Sequence, residues 1–113
     1  MKKIRLLLVG FGPRGKIWAK AIKKNSKTEL VGICDINKNL KNQNPKNIIF
    51  FNELDSALSY LKPDAIILST PPFNRMKDLK VCARFKLPIL VEKPLTINLE
   101  EAKRQISFMN KHK

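Results

Sequence analysis

Five short apolar runs, residues 4–9, 30–34, 48–51, 65–69 and 89–91, punctuate this chain, separated by segments whose apolar residues recur at helical spacing. Apart from Arg5 and the terminal Ser69, each run is apolar instead of alternating with polar residues. That is the pattern of strands buried on both faces, which parallel sheets have and one-sided antiparallel sheets lack. Strands alternating with helices build βαβ units, and such units stack into a doubly wound parallel α/β sheet with helices on both faces. At 113 residues the chain can bury roughly 60–70% of its unfolded surface, enough for one such core and not for two. One α/β domain over residues 1–113, with no internal repeat and no interdomain linker, is the expectation.

Between the runs, residues 13–24 place Ile17, Trp18, Ala21 and Ile22 on one helical face and Lys16, Lys20, Lys23 and Lys24 on the other. Residues 36–47 are rich in Asn and Lys and contain Pro45, so any helix there is short or frayed. Asn52 stands where it can cap a helix in which Leu54, Ala57, Leu58 and Leu61 follow the i, i+3, i+4, i+7 pattern, ended by Pro63. Pro71 and Pro72 force an extended exit from the fourth run. A helix over residues 74–85 turns Leu79, Cys82 and Ala83 inward. Asn98 and Glu101 have capping-box spacing before a last helix whose inward residues are Leu99, Ala102, Ile106 and Met109.

The first strand runs into Gly10-Phe11-Gly12-Pro13-Arg14-Gly15, a G-x-G-x-x-G turn that opens the first helix, and Asp35 lies twenty residues beyond Gly15 at the end of the second strand. Each part suits a dinucleotide. The glycines allow a sharp turn, a close approach of a pyrophosphate to the backbone, and tight packing of helix on sheet. The N–H groups of the helix N-terminus face the phosphates. Pro13 fits the first helical position because its φ is already helical and its missing N–H would have had no intrahelical partner. Asp35 is placed to accept hydrogen bonds from the adenosine ribose, and a carboxylate there favours NAD over NADP, with Lys38 as a counterweight. The structural alternative is a glycine turn that merely packs a helix against a sheet.

With 23 Lys and Arg against 9 Asp and Glu, the formal net charge is +14. Such a charge raises nucleic acid as a partner. The lysines are scattered, with no run longer than two, which favours solvated helix faces over a specific nucleic-acid site. Cys34 and Cys82 are isolated and form neither a disulfide framework nor a C-x-x-C pair, and the only histidine, His112, stands near the end of the chain. No metal site is expected. No run approaches the ~20 apolar residues of a membrane span, and Arg5, the glycine turn, Arg14 and Lys16 interrupt any signal-peptide core. The expectation is a soluble, cytoplasmic protein.

From Ile4 to about Lys111 the chain resembles the N-terminal NAD(P)-binding Rossmann domain of the Gfo/Idh/MocA oxidoreductases. The resemblance rests on the glycine turn, Cys34-Asp35, Lys62-Pro63-Asp64-Ala65, Ser69-Thr70-Pro71 and, most specifically, Val91-Glu92-Lys93-Pro94. It implies that Lys93 stands near nicotinamide and substrate in a catalytic role. It further implies that Glu92 and Thr70 line the nicotinamide half, that Ser69 and Pro71 belong with them to the cofactor-binding residues, and that the Lys93-Pro94 peptide is cis. Such a lysine acts as a general acid or base, or as a fixed cation polarising a substrate oxygen. The bland reading is a solvated lysine and glutamate after an edge strand.

Three departures stand out. The family often reads Thr-Pro-Asn with a His three residues later, where this chain has Pro72 and Arg75; Lys86 replaces the usual Gly ending the helix before strand five, so its cap must differ. The family's C-terminal substrate domain has no counterpart in these residues. Together these imply a dinucleotide-binding domain that needs a separate substrate domain, or a truncated one, for hydride transfer, with strand five as an edge for a partner chain or self-association. A non-catalytic dinucleotide-sensing module and a basic nucleic-acid binder are the other readings.

Overall fold

A computed structural model of the chain describes residues 2–73, 75–94, 96 and 98–112. The elements, in order, are β1 (Ile4–Val9), α1 (Pro13–Lys24), β2 (Thr28–Cys34), a 3-10 helix (Lys38–Gln43), β3 (Ile49–Phe51), α2 (Leu54–Leu61), β4 (Ala65–Leu68), α3 (Arg75–Arg84), β5 (Ile89–Val91) and α4 (Leu99–Lys111). All five strands pair parallel in the order β3-β2-β1-β4-β5. The chain therefore winds from β1 outward to β3, then crosses back to β4 on β1's other side. The reversal leaves a crevice at the carboxyl ends of β1 and β4, where open α/β sheets bind ligands. No helix among the described residues is long and apolar enough to cross a membrane.

The continuous apolar runs do what their pattern requires. In β1, Leu7 and Val9 enter the layer under α2 and α3, with Ala57, Leu58, Leu61, Leu79 and Cys82, whereas Leu8 enters the opposite layer with Ala19 and Ile22 of α1. The β2 strand begins two residues earlier than its apolar run, at Thr28, because Ile4 and Arg5 offer ladder partners to Thr28 and Glu29. Arg5 also caps a neighbour: its guanidinium donates to the carbonyls of Leu61 (2.8 Å) and Lys62 (2.7 Å), the exposed C-terminal acceptors of α2.

Four expectations need correction. Ile17 is 56% exposed and Ala21 is exposed too; α1 instead buries Gly15, Ala19 and Ile22, because the backbone contact at Gly15 sets which stripe of the helix meets the sheet. In α4, Leu99 and Ile106 are exposed and the inward stripe runs through Ala102, Gln105 and Met109, with Gln105 only 1% exposed. The cap of α2 is Glu53, not Asn52, and its side chain makes no cap bond; the Asp55 carboxylate takes the Ser56 N–H at 3.0 Å inside the first turn instead. After α3, Lys86 adopts the left-handed conformation (φ 54°) that the family's glycine would adopt, so the residue differs and the cap geometry does not. The Asn98 cap is as expected, its side-chain oxygen accepting the Glu101 N–H at 2.7 Å. Asn74, expected to open α3, lies outside the described residues.

Candidate cofactor site

The glycine turn is built by close backbone approaches. Gly10 has φ +101°, and a Cβ there would lie 2.8 Å from the Ser69 carbonyl, so only glycine lets β1 pass β4 at this point. A Cβ on Gly15 would lie 2.0 Å from the Gly10 carbonyl oxygen, which is how tightly α1 seats on the end of β1. Gly12 is different: nothing lies within 4 Å of a Cβ built on it. The space beside Gly12 belongs to the cleft. Gly12 is the N-cap of α1 and Pro13 follows in the first turn, so the first-turn N–H groups beyond Pro13 lack intrahelical acceptors and give that end a partial positive charge.

Asp35 closes the turn from the other side. Its Oδ2 accepts the Phe11 N–H at 2.7 Å and its Oδ1 accepts the Asn37 N–H at 2.9 Å, while its own N–H extends the ladder to the Phe51 carbonyl at 2.9 Å. The carboxylate is thus fixed, and each oxygen keeps lone-pair capacity for further donors. The Phe11 ring is buried in the α1-side core with the Lys16 ammonium 5.0 Å from its centroid. Phe11 shapes the turn by its backbone.

At the end of β5, Glu92 is held by residues far away in sequence. Its Oε2 accepts the Trp18 indole N–H at 2.7 Å and Arg14 Nε at 3.1 Å, and its Oε1 accepts the Lys93 N–H at 3.2 Å. These donors, Trp18 first, hold its pKa below the usual carboxylate value. Glu92 is therefore an acceptor with its charge satisfied and poorly suited to donate a proton. The Lys93-Pro94 peptide is cis, as the resemblance implies, and Lys93 is exposed at the cleft.

Apart from Phe11, Gly15 and Lys38, the cofactor-site residues expected from the sequence line one cleft of about 650 Å³: Gly10, Gly12, Pro13, Arg14, Asp35, Ser69, Thr70, Pro71, Glu92 and Lys93. Ser69 Oγ and Thr70 Oγ1 are buried in its wall without a hydrogen-bond partner among the described residues. Buried hydroxyls are normally satisfied. With the Cβ-free space at Gly12, they fit a polar ligand that supplies the missing partners.

Sequence reasoning missed several contributors. Ile36 and Leu40 add apolar wall beside Asp35. Trp18 packs against the α1-side core as its helical face predicts, and its indole N–H also reaches Glu92; its i, i+4 relation to Arg14 places both on one helix face. Arg75, in sequence only a departure from the family's pattern, is buried, and its guanidinium donates to the carbonyls of Glu92 (3.0 Å), Pro94 (3.2 Å) and Thr70.

A parallel sheet with this reversal, a glycine turn from its first strand into a helix, and an acid at the end of its second strand define a doubly wound dinucleotide-binding domain. More specifically, the chain belongs to the Gfo/Idh/MocA oxidoreductase family with an NAD-binding Rossmann fold, which residues 4–113 match. The rhizopine catabolism protein MocA of Rhizobium meliloti is 26% identical over 114 residues, covering 100% of this chain and 36% of that protein. The WlbA dehydrogenase of Bordetella pertussis, solved with NADH and UDP-GlcNAcA, superposes with a TM-score of 0.84 at 29% identity, over 98% of this chain and 36% of the other. The scyllo-inositol dehydrogenase of Lactobacillus casei, solved with NAD(H) and scyllo-inositol, shares the fold with a TM-score of 0.84 at 19% identity, over 98% and 34%. The chain thus spans about a third of the length of these relatives.

Proposed function

We propose that the cleft is the NAD site of this domain and that the chain serves hydride transfer as its cofactor-binding part. In this reading Asp35 takes the adenosine ribose, with Ile36 and Leu40 beside the adenine. The pyrophosphate passes Gly12 at the N-terminus of α1, and Ser69, Thr70, Pro71 and Glu92 line the nicotinamide half. Bound NAD supplies hydride acceptance or donation. Lys93 is the candidate catalytic residue, moving a proton at, or polarising, a substrate oxygen. The observation that carries the reading is the convergence of Asp35, the open Gly12 and the unsatisfied Ser69 and Thr70 hydroxyls on one cleft. Inositol- and sugar-type polyols, named for the relatives above, are the substrate class we propose.

Gly12→Val separates binding from folding. Among the described residues nothing lies within 4 Å of a Cβ at this position, while the proposed pyrophosphate path crosses it. NAD should raise the melting temperature of the parent chain with dose, because a ligand that binds only the native state stabilises it. The Gly12→Val variant should melt as the parent does without NAD and show no rise. A dose-dependent rise in that variant would mean that the turn is structural only. Trp18 is the only tryptophan, so its fluorescence, read through Glu92, gives a second signal of binding.

Asp35 should also set cofactor choice. A 2′-phosphate beside a fixed carboxylate is repelled, so NAD should bind more tightly than NADP by tenfold or more, equivalent to ~1.4 kcal/mol. Tighter NADP binding would point to Lys38 as a phosphate partner.

Catalysis needs a substrate held at near-attack geometry and shielded from water, and one open cleft does not enclose it. We propose that a substrate-binding domain completes the site and that the open edge of β5 is where another strand pairs. Glu92 N–H bonds the Leu68 carbonyl and Ile66 N–H bonds the Pro88 carbonyl. By strand alternation, the backbone groups of Ile89 and Val91 then face outward. Leu90 is 47% exposed beside them, without the charges that usually guard an edge. The isolated chain should therefore associate with itself in a concentration-dependent way and produce no steady NADH from polyols. Leu90→Lys should abolish the association, measurable by light scattering; an unaffected oligomer would place the contact elsewhere.

A further inference from the structure

Arg75 is the first residue of α3 and is 1% exposed, a position with little to recommend it for a cation. A helix N-terminus carries the positive end of the helix dipole. Burial lowers the Arg75 pKa, with Asp78 and Glu92 acting in the opposite direction. What offsets these costs is a set of carbonyls. Nη1 donates to Glu92 O at 3.0 Å and Pro94 O at 3.2 Å, and Nη2 donates to Thr70 O.

Those three acceptors belong to two loops. Thr70 follows β4, and Glu92 to Pro94 follow β5. The β4–β5 ladder ends with the Glu92 N–H on the Leu68 carbonyl at 2.9 Å, and beyond that bond Arg75 links the two loops. A guanidinium is suited to this: its planar fork reaches several acceptors at fixed angles, whereas an ammonium is a point charge and an amide has only two donors. The opposite end of the cleft is built without it. There Asp35 holds Phe11 and Asn37, on the loops after β1 and β2.

We propose that Arg75 is the positioning residue of the nicotinamide half of the site. It locks the Thr70 loop to the Glu92–Pro94 loop and so fixes where Lys93 stands, while the adenosine half is indifferent to it. The inference rests on the placement of the dinucleotide proposed above.

The test compares the parent chain with Arg75→Met and Arg75→Lys by titration calorimetry, using NADH, ADP-ribose and AMP. In the parent, NADH should bind more tightly than ADP-ribose through its nicotinamide contacts. In Arg75→Met, AMP and ADP-ribose should keep their affinity within about twofold while NADH weakens about tenfold, a difference of ~1.4 kcal/mol. The fluorescence enhancement of bound NADH should fall with it. Arg75→Lys, which keeps the charge and part of the bonding, should lie between, and it carries the test if the Met variant does not fold. A merely structural arginine would weaken all three ligands by one factor, leaving the NADH to ADP-ribose ratio unchanged, and that result would overturn the inference. If the parent binds none of the three, the cofactor placement itself fails.

Discussion

Gly15→Ala should remove a large part of the folding free energy and lower the melting temperature sharply, although the substitution adds one methyl group in a helix, where alanine is ordinarily the better residue. The Cβ would lie 2.0 Å from the Gly10 carbonyl oxygen and 2.8 Å from its carbon. Both atoms are backbone, and Gly10 is itself confined at φ +101° against Ser69. Neither side can yield by a rotamer change, so α1 must lift off the sheet and take Ala19 and Ile22 out of the core. The cost is on the order of 4 kcal/mol or more, against a total stability of ~5–15 kcal/mol for a domain of this kind. Circular dichroism of Gly15→Ala during thermal melting is the measurement, with Gly12→Ala as the control expected to stay within ~0.5 kcal/mol. A cooperative melt for Gly15→Ala within a few degrees of the parent would show that α1 can slide along β1 and that the contact is soft.

The same contact explains what the sequence could and could not disclose about the fold. Strands were legible because a run such as Leu6-Leu7-Leu8-Val9 has one stable use, a position buried on both faces. The site's frame was legible because the glycine turn, Asp35 and Lys93 each sit at a strand end, and a parallel sheet brings strand ends together. Helix orientation was less so. Counting apolar residues in α1 favours the Ile17 face, yet backbone proximity at Gly15 outweighs it and sends Ile17 to the surface. In α4 the inward stripe carries Gln105, whose amide atoms have no partner among the described residues, so hydropathy pointed to the wrong stripe.

The side chains that brace the site were the least legible. Trp18 and Glu92 are 74 residues apart and Arg14 and Glu92 are 78 apart, and no local pattern encodes such pairings. Glu92 is gripped twice, its carbonyl by Arg75 and its carboxylate by Trp18 and Arg14. Through Arg14 the β5 loop is tied to the glycine turn, and through Arg75 to the β4 loop. A change at Trp18 should therefore be felt at Lys93 although the two are far apart in sequence.

Stability should fall steeply above pH 9, and two thiols set the slope. Cys34 and Cys82 lie in one core layer, 3% and 0% exposed, and both are free. Burial, with the nearby Asp78 carboxylate adding to it, pushes each thiol from 9.0 up to about 12. Between those values the unfolded chain releases protons that the folded chain retains. The contribution is fully present below pH 9 and is lost as pH rises toward 12. The slope is ~1.4 kcal/mol per pH unit for each thiol, so two thiols should cost about 3–5 kcal/mol by pH 11, the lower figure allowing for their mutual coupling. Neutralising surface lysines works the other way, since it relieves the repulsion within a net charge of +14. Denaturant unfolding at pH 8, 9, 10 and 11 should therefore show falling stability in the parent. The Cys34→Ala, Cys82→Ala double variant, less stable at pH 8 because of the lost packing, should show a flat or slightly rising profile. At pH 8 both thiols should resist a disulfide reagent until the protein unfolds, because the thiolate is the reactive form. Parallel slopes in parent and double variant would assign the alkaline transition to other groups and show that the core admits thiolates at little cost.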